Sequence, residues 1–246
     1  GGGGNNGAIL YELATREEGL VIRGIKVRHA AGTFMQPAAK VAWSHKDVLI
    51  EDCDFSYNGG VGLDLTDVGH VTVRNVPCMD NGERGMGVSG RYRNPETRKN
   101  ILLENCRWSG NNWRFRNNNV VQTWDAAGVK LFSSLENITF RNCEAVGNFA
   151  DGVWFDWHIY GVTFEDCKML DNTRSGITFE AMVDEDRGRA AVVENCVVAG
   201  NETGILSYGS GNVTVSNSRI FNNHERQIGV LVDDRKVYDT WQHQRG

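Results

Sequence analysis

Hydrophobic and polar positions alternate along the chain in short runs, and the runs recur. "NITFRNCEAVGNFADGVWFDW" from Asn137, "GVTFEDCKMLDNTRSGITFEA" from Gly161 and "AAVVENCVVAGNETGILSY" from Ala190 share one plan. Each reads as an alternating strand, a polar corner, a second short strand, an Asn or Gly turn, and a last alternating strand that opens on Gly. The plan repeats from Asp47, His70, Asn100 and Asn212, with a weaker copy, "GLVIRGIKVRHAAG", from Gly19. About eight copies of this unit account for nearly the whole sequence.

The cysteines measure the period. Cys53 to Cys78 is 25 residues, Cys78 to Cys106 is 28, Cys143 to Cys167 is 24 and Cys167 to Cys196 is 29. Leucine-rich repeats and β-solenoids share such a period, but there is no Leu framework and no helical return. The pattern predicts an all-β chain, a right-handed parallel β-helix of about eight rungs with three short strands in each. One such domain would take in residues 1–246. All six cysteines read as one repeat position, where stacked rungs lie roughly 4.8 Å apart and a small thiol fills an internal corner. That reading is preferred to disulfides or a metal site. The 37 residues between Cys106 and Cys143 mark an insertion, "NNWRFRNNNVVQTWDAAGVK". Shorter ones are "SGRYRNPETRKN" and "MVDEDRGR", and all three are expected to overhang a common groove.

Period-two alternation then assigns faces on the last strand of each repeat. In "GVWFD", Val153 and Phe155 point inward while Trp154, Asp156 and, beyond them, His158 point out. In "GITFE", Ile177 and Phe179 point in while Thr178, Glu180 and Met182 point out; in "AGVKLF", Lys130 and Phe132 point out. The same register turns Asp64, Tyr208 and Asp233 outward. Asp156 and Glu180 should thus share a column on adjacent rungs, with Lys130 and Trp154 in the column two residues earlier. Carboxyl groups stacked on the order of 5 Å apart cannot both ionise comfortably, and that separation suits a retaining glycosidase. Lys130, Arg114 or Arg116 would relieve the repulsion if these acids were only a solvated surface. Outward Trp154, Trp157 and Trp124 add aromatic faces on which sugar rings stack.

The blocks "WDAAGVK", "GVWFD" and "GITFE", set in "RNCEAVGNFADGVWFDWH" and "DNTRSGITFEAM", resemble bacterial right-handed parallel β-helix proteins that act on carbohydrates. The resemblance runs from Asp47 to Asn223 and is nearest to β-helical glycoside hydrolases of the β-xylosidase type. It implies that Asp156 attacks the anomeric carbon while Glu180 protonates the leaving oxygen and then activates water. Asp125 would bind a sugar hydroxyl or serve as the second carboxylate. Lys130 would keep Asp156 ionised or act as its surface partner. Trp124 and Trp154 would be sugar platforms, and His158 would line the site or be solvated. The resemblance also implies a secreted or periplasmic location and an oligosaccharide or polysaccharide substrate, with no cofactor.

Two other readings stand beside this one. A polysaccharide lyase or uronate epimerase would take Lys130 or an arginine as base, with Ca²⁺ or cationic groups such as Arg114 and Arg116 against the uronate carboxyl. A glycan-binding or structural solenoid would need no chemistry at all. Composition changes the picture only by exclusion. A net charge of -5 argues against nucleic acid as a partner. No apolar run of about 18 residues predicts a membrane span. No signal peptide is visible, and "GGGGNN" without an initiator Met reads as a trimmed or incomplete chain. Open solenoid ends would then meet a further domain or an oligomer partner.

Overall fold

The computed structural model describes residues 19–32, 35–42, 47–90, 98–117, 125–182 and 190–232. Their strands fall into three parallel sheets, two of eight strands and one of six. One turn of the coil passes through Glu136–Arg141 in the first sheet, Glu144–Val146 in the second and Asp151–Asp156 in the third. The next turn repeats this as Tyr160–Glu165, Lys168–Leu170 and Ser175–Glu180. Each strand pairs in parallel with its counterpart one turn away, which is a parallel β-helix.

The alternation in sequence builds the core directly. Ile138, Phe140, Ala145, Val153 and Phe155 of one rung are buried together, as are Val162, Phe164, Met169, Ile177 and Phe179 of the next. Phe140 stacks on Phe164 with ring centroids 4.5 Å apart, and Phe155 on Phe179 at 5.4 Å. The polar corner after the first-sheet strand is left-handed in rung after rung, with φ of 54° at Asn75, 53° at Asn105 and 50° at Asn142. Asn and Asp tolerate that conformation best among residues with a side chain. That requirement explains the Asp or Asn that precedes most of the cysteines.

The thiol ladder needs one correction. Register places Cys106, Cys143, Cys167 and Cys196 in one inward column, and the same column holds Cys53 and then Val76 in the earlier rungs. Cys78 lies two residues further on, inside the strand Pro77–Met79 and opposite Trp108. In that repeat Arg74-Asn75 keeps the corner, Val76 takes the inward place that cysteine holds elsewhere, and the cysteine falls two residues later, after Pro77. All six thiols are free and buried.

Candidate functional site

The third sheet stacks Pro37–Ala42, Val61–Thr66, Met86–Ser89, Ala127–Phe132, Asp151–Asp156, Ser175–Glu180, Thr203–Tyr208 and Arg226–Leu231. Its register aligns Lys40, Asp64, Gly87, Lys130, Trp154 and Thr178 in one outward column. Phe132, Asp156, Glu180 and Tyr208 form the next. Asp156 and Glu180 are therefore neighbours on adjacent rungs.

Their contacts separate them. Lys130 Nζ pairs with Asp156 Oδ2 at 2.9 Å and stands 3.6 Å from the centroid of the Trp154 ring. Trp154 Nε1 donates to Glu180 Oε2 at 2.9 Å. Arg174 lies over the same ring at 5.4 Å and pairs with Asp151 Oδ2 at 3.1 Å. Thr178 Oγ1 donates to the other Asp151 oxygen at 2.7 Å. Lys130 is 2% exposed and Trp154 6%. A buried ammonium needs a counter-charge, and here a carboxylate and a ring face share that work. Burial pushes the Asp151 carboxyl up, against the pull of Arg174 and of the Thr178 hydroxyl.

A second ionic cluster lies on earlier rungs of the same face. Arg84 folds over Gly87, where a Cβ would come within 2.5 Å of its Nε. Its guanidinium pairs with Asp125, sits 3.9 Å from Asp64 and covers the Phe132 ring at 5.8 Å. Burial pushes Asp125 up, while Arg84 and then Lys130 hold it down. Asp125 is thus a buried partner of arginine and not an open ligand for a sugar hydroxyl. Sequence reasoning missed Arg84 because it lies in a turn, outside the strand columns. The glycine at an outward strand position in "RGMGVS" was the available signal, since it leaves a hole for a neighbouring side chain.

Three further expectations change. Trp157 and His158 both take positive φ, 71° and 56°, so alternation stops at Asp156. Trp157 is exposed, while His158 turns inward, is buried, and meets the Tyr160 hydroxyl at 3.3 Å. Met182 joins the core instead of facing out, for the same reason: Ala181 is left-handed. Trp154 is outward by register, but Lys130 and Arg174 cover its ring, so it is no open sugar platform. Trp124, Asp233 and the bulk of the three insertions, 91–97, 118–124 and 183–189, lie outside the described residues, as does any groove they form. Among the described residues no three His, Cys, Asp or Glu side chains converge as a metal site. Among the described residues the acids of this face are engaged by Lys130, Arg84, Arg174 and Trp154 and do not fit a Ca²⁺ ion, and no step below runs through one.

Solved structures share this coil. The A-module of the mannuronan C-5 epimerase AlgE4 of Azotobacter vinelandii superposes with a TM-score of 0.63 at 17% identity, over 88% of this chain and 56% of that one. The periplasmic alginate epimerase AlgG gives 0.56 at 12% identity, over 89% and 46%. Pectate lyase Pel9A gives 0.50 at 16%, over 83% and 55%. The chain spans about half the length of these proteins. No curated protein matches the sequence. The glycoside hydrolase expectation, and with it the β-xylosidase likeness, is corrected by this finding: the similar structures are epimerases and a lyase. The family described as the right-handed beta helix region matches residues 41–181 and 109–238, and this chain belongs to it.

Proposed function

We propose that this protein is a polysaccharide-modifying enzyme that acts on uronate-containing chains by lyase or C5-epimerase chemistry. The observation that carries the reading is the buried Lys130 beside Asp156 and Trp154–Glu180, with Arg84 and Arg174 close by on the same face. Both reactions begin with loss of the proton on C5, next to the uronate carboxyl, and the electron pair moves into that carboxyl group. A cation held in a site of low exposure offsets the charge that develops there. Lys130 and Arg84 supply it. Asp156 and Glu180 are the proton carriers, and the Tyr208 hydroxyl follows in the same column. In a lyase the electron pair then expels the C4 oxygen, which takes up a proton. In an epimerase C5 regains a proton on the opposite face. The likeness to epimerases of mannuronan and alginate and to a pectate lyase supports uronate polymers as the substrate class. A substrate of that kind places the enzyme in the periplasm or outside the cell.

The test is incubation with mannuronan, alginate and pectate in deuterated water. Ultraviolet absorbance from an unsaturated product marks a lyase. Deuterium at C5 without that absorbance marks an epimerase. Lys130→Met should lower either rate by about a hundredfold or more. Binding of a polymer with neither signal would replace the proposal with a glycan-binding solenoid.

A further inference from the structure

Trp154 touches three charged groups of the site, Lys130, Arg174 and Glu180. Lys130 Nζ stands 3.6 Å from its ring centroid and the Arg174 guanidinium 5.4 Å, while its Nε1–H donates to Glu180 at 2.9 Å. Arg174 is in turn fixed by Asp151, which is fully buried and bonded from Thr178. A cation over an indole draws electron density from the ring, and an electron-poor indole is a stronger N–H donor. The contacts thus form a continuous line from Asp156 through Lys130 and Trp154 to Glu180, crossing from one rung to the next.

We infer that Trp154 is a positioning residue that couples Lys130 to Glu180, so that the ionic partner Lys130 holds sets how firmly Glu180 is held. This rests on the reading of the face as a uronate site and adds to it a way for the two carboxylates to act differently. A substrate carboxylate that draws Lys130 away from Asp156 and the ring would weaken the Trp154–Glu180 bond. Glu180 would then be released for proton transfer only when the site is filled. The line is physical contact, not proximity alone.

Indole ¹⁵N–¹H spectra of the intact protein test this without any turnover. The Trp154 Nε1–H signal, identified by its loss in Trp154→Phe, should move upfield in Glu180→Gln, where the acceptor loses its charge. It should also move upfield in Lys130→Met, which removes the cation over the ring while leaving both the Nε1–H donor and the Glu180 acceptor in place. Lys130→Arg should hold the signal near its wild-type place, which separates charge from a packing defect. A signal that moves in Glu180→Gln but not in Lys130→Met overturns the coupling, and one that moves in neither overturns the hydrogen bond too. Failure of the enzymatic reading would appear separately, as no product and no C5 exchange while the spectra still respond.

Discussion

Asp151 has no exposed surface, and Arg174 and Thr178 hold its two oxygens. Burial raises its carboxyl above the ordinary value of 3.8, as it does that of Asp125. The folded chain therefore keeps these protons at a pH where the unfolded chain has lost them. Stability from this source grows as pH falls through the raised folded values toward 3.8, and it is smallest above them. Glu104 has the opposite sign: the hydrogen bond from Arg74 lowers it, so stability present above 4.5 is lost as pH falls through its lowered value. Asp151→Asn removes the part of the first effect that belongs to Asp151 and leaves the part of Asp125 and the effect of Glu104. Thermal midpoints of variant and wild type should differ most in the variant's favour at neutral pH, and that advantage should shrink on acidification. A difference that stays constant with pH would mean that Asp151 is not held up by burial. Neither Asp151 nor Arg84 was legible as part of the site, because both lie where the chain leaves a turn. Alternation gave Lys130, Trp154, Asp156 and Glu180 their columns, but it could not say which of them would be covered.

At the level of strands and turns, the Asn before the Gly-opened strand proves to be more than a turn residue. Asn58, Asn81, Asn111, Asn148, Asn172, Asn201 and Asn223 stack inside the corner between the second and third sheets. Asn148 Oδ1 accepts from both the backbone N–H and the Nδ2 of Asn111, while Asn148 Nδ2 donates to the Trp108 carbonyl and to Asn172. Gly128 and Gly152 leave room for the ladder, since a Cβ at Gly152 would come within 2.8 Å of Asn172 Nδ2. Asn148→Ala would strand two buried donors of Asn111 and should cost about 3 kcal/mol or more in a urea titration, with little change in slope. On the adjacent rung, Lys168→Ala breaks only an exposed pair with Glu144 at 2.9 Å and should cost less than about 1 kcal/mol. Equal losses would remove the ladder as a source of stability. The sequence shows these Asn residues one repeat at a time, whereas their hydrogen bonds run between repeats. The same limit explains Cys78: counting from cysteine to cysteine assumes that every repeat has its cysteine at the same distance from the corner, and the repeat with its corner at Asn75 puts Val76 there instead.

For the whole molecule, each rung contacts only its neighbours, so stability is close to a sum of rung and interface terms. Interior strands such as Asp151–Asp156 have a partner on both edges, Ala127–Phe132 and Ser175–Glu180. Arg226–Leu231 pairs only with Thr203–Tyr208 among the described strands. Its residues are correspondingly open, with Ile228 51% exposed and Val230 75%. The aromatic stacks of Phe140, Phe155, Phe164 and Phe179 sit in the central rungs, and the last rung has none of them. Among the described strands, opening the rung of Arg226–Leu231 breaks one interface and uncovers little apolar surface; opening a central rung breaks two and uncovers the phenylalanine core. Hydrogen exchange on the full chain should therefore show a gradient, with amides of Asp151–Asp156 and Ser175–Glu180 exchanging slowest and those of Arg226–Leu231 fastest. The charged face around Lys130 and Trp154 then lies on the most rigid part of the coil, where its contacts persist without substrate. Uniform protection along the coil would show that the rungs open as one unit. Fast exchange at Asp151–Asp156 would remove the rigidity on which the coupling of Lys130 to Glu180 depends.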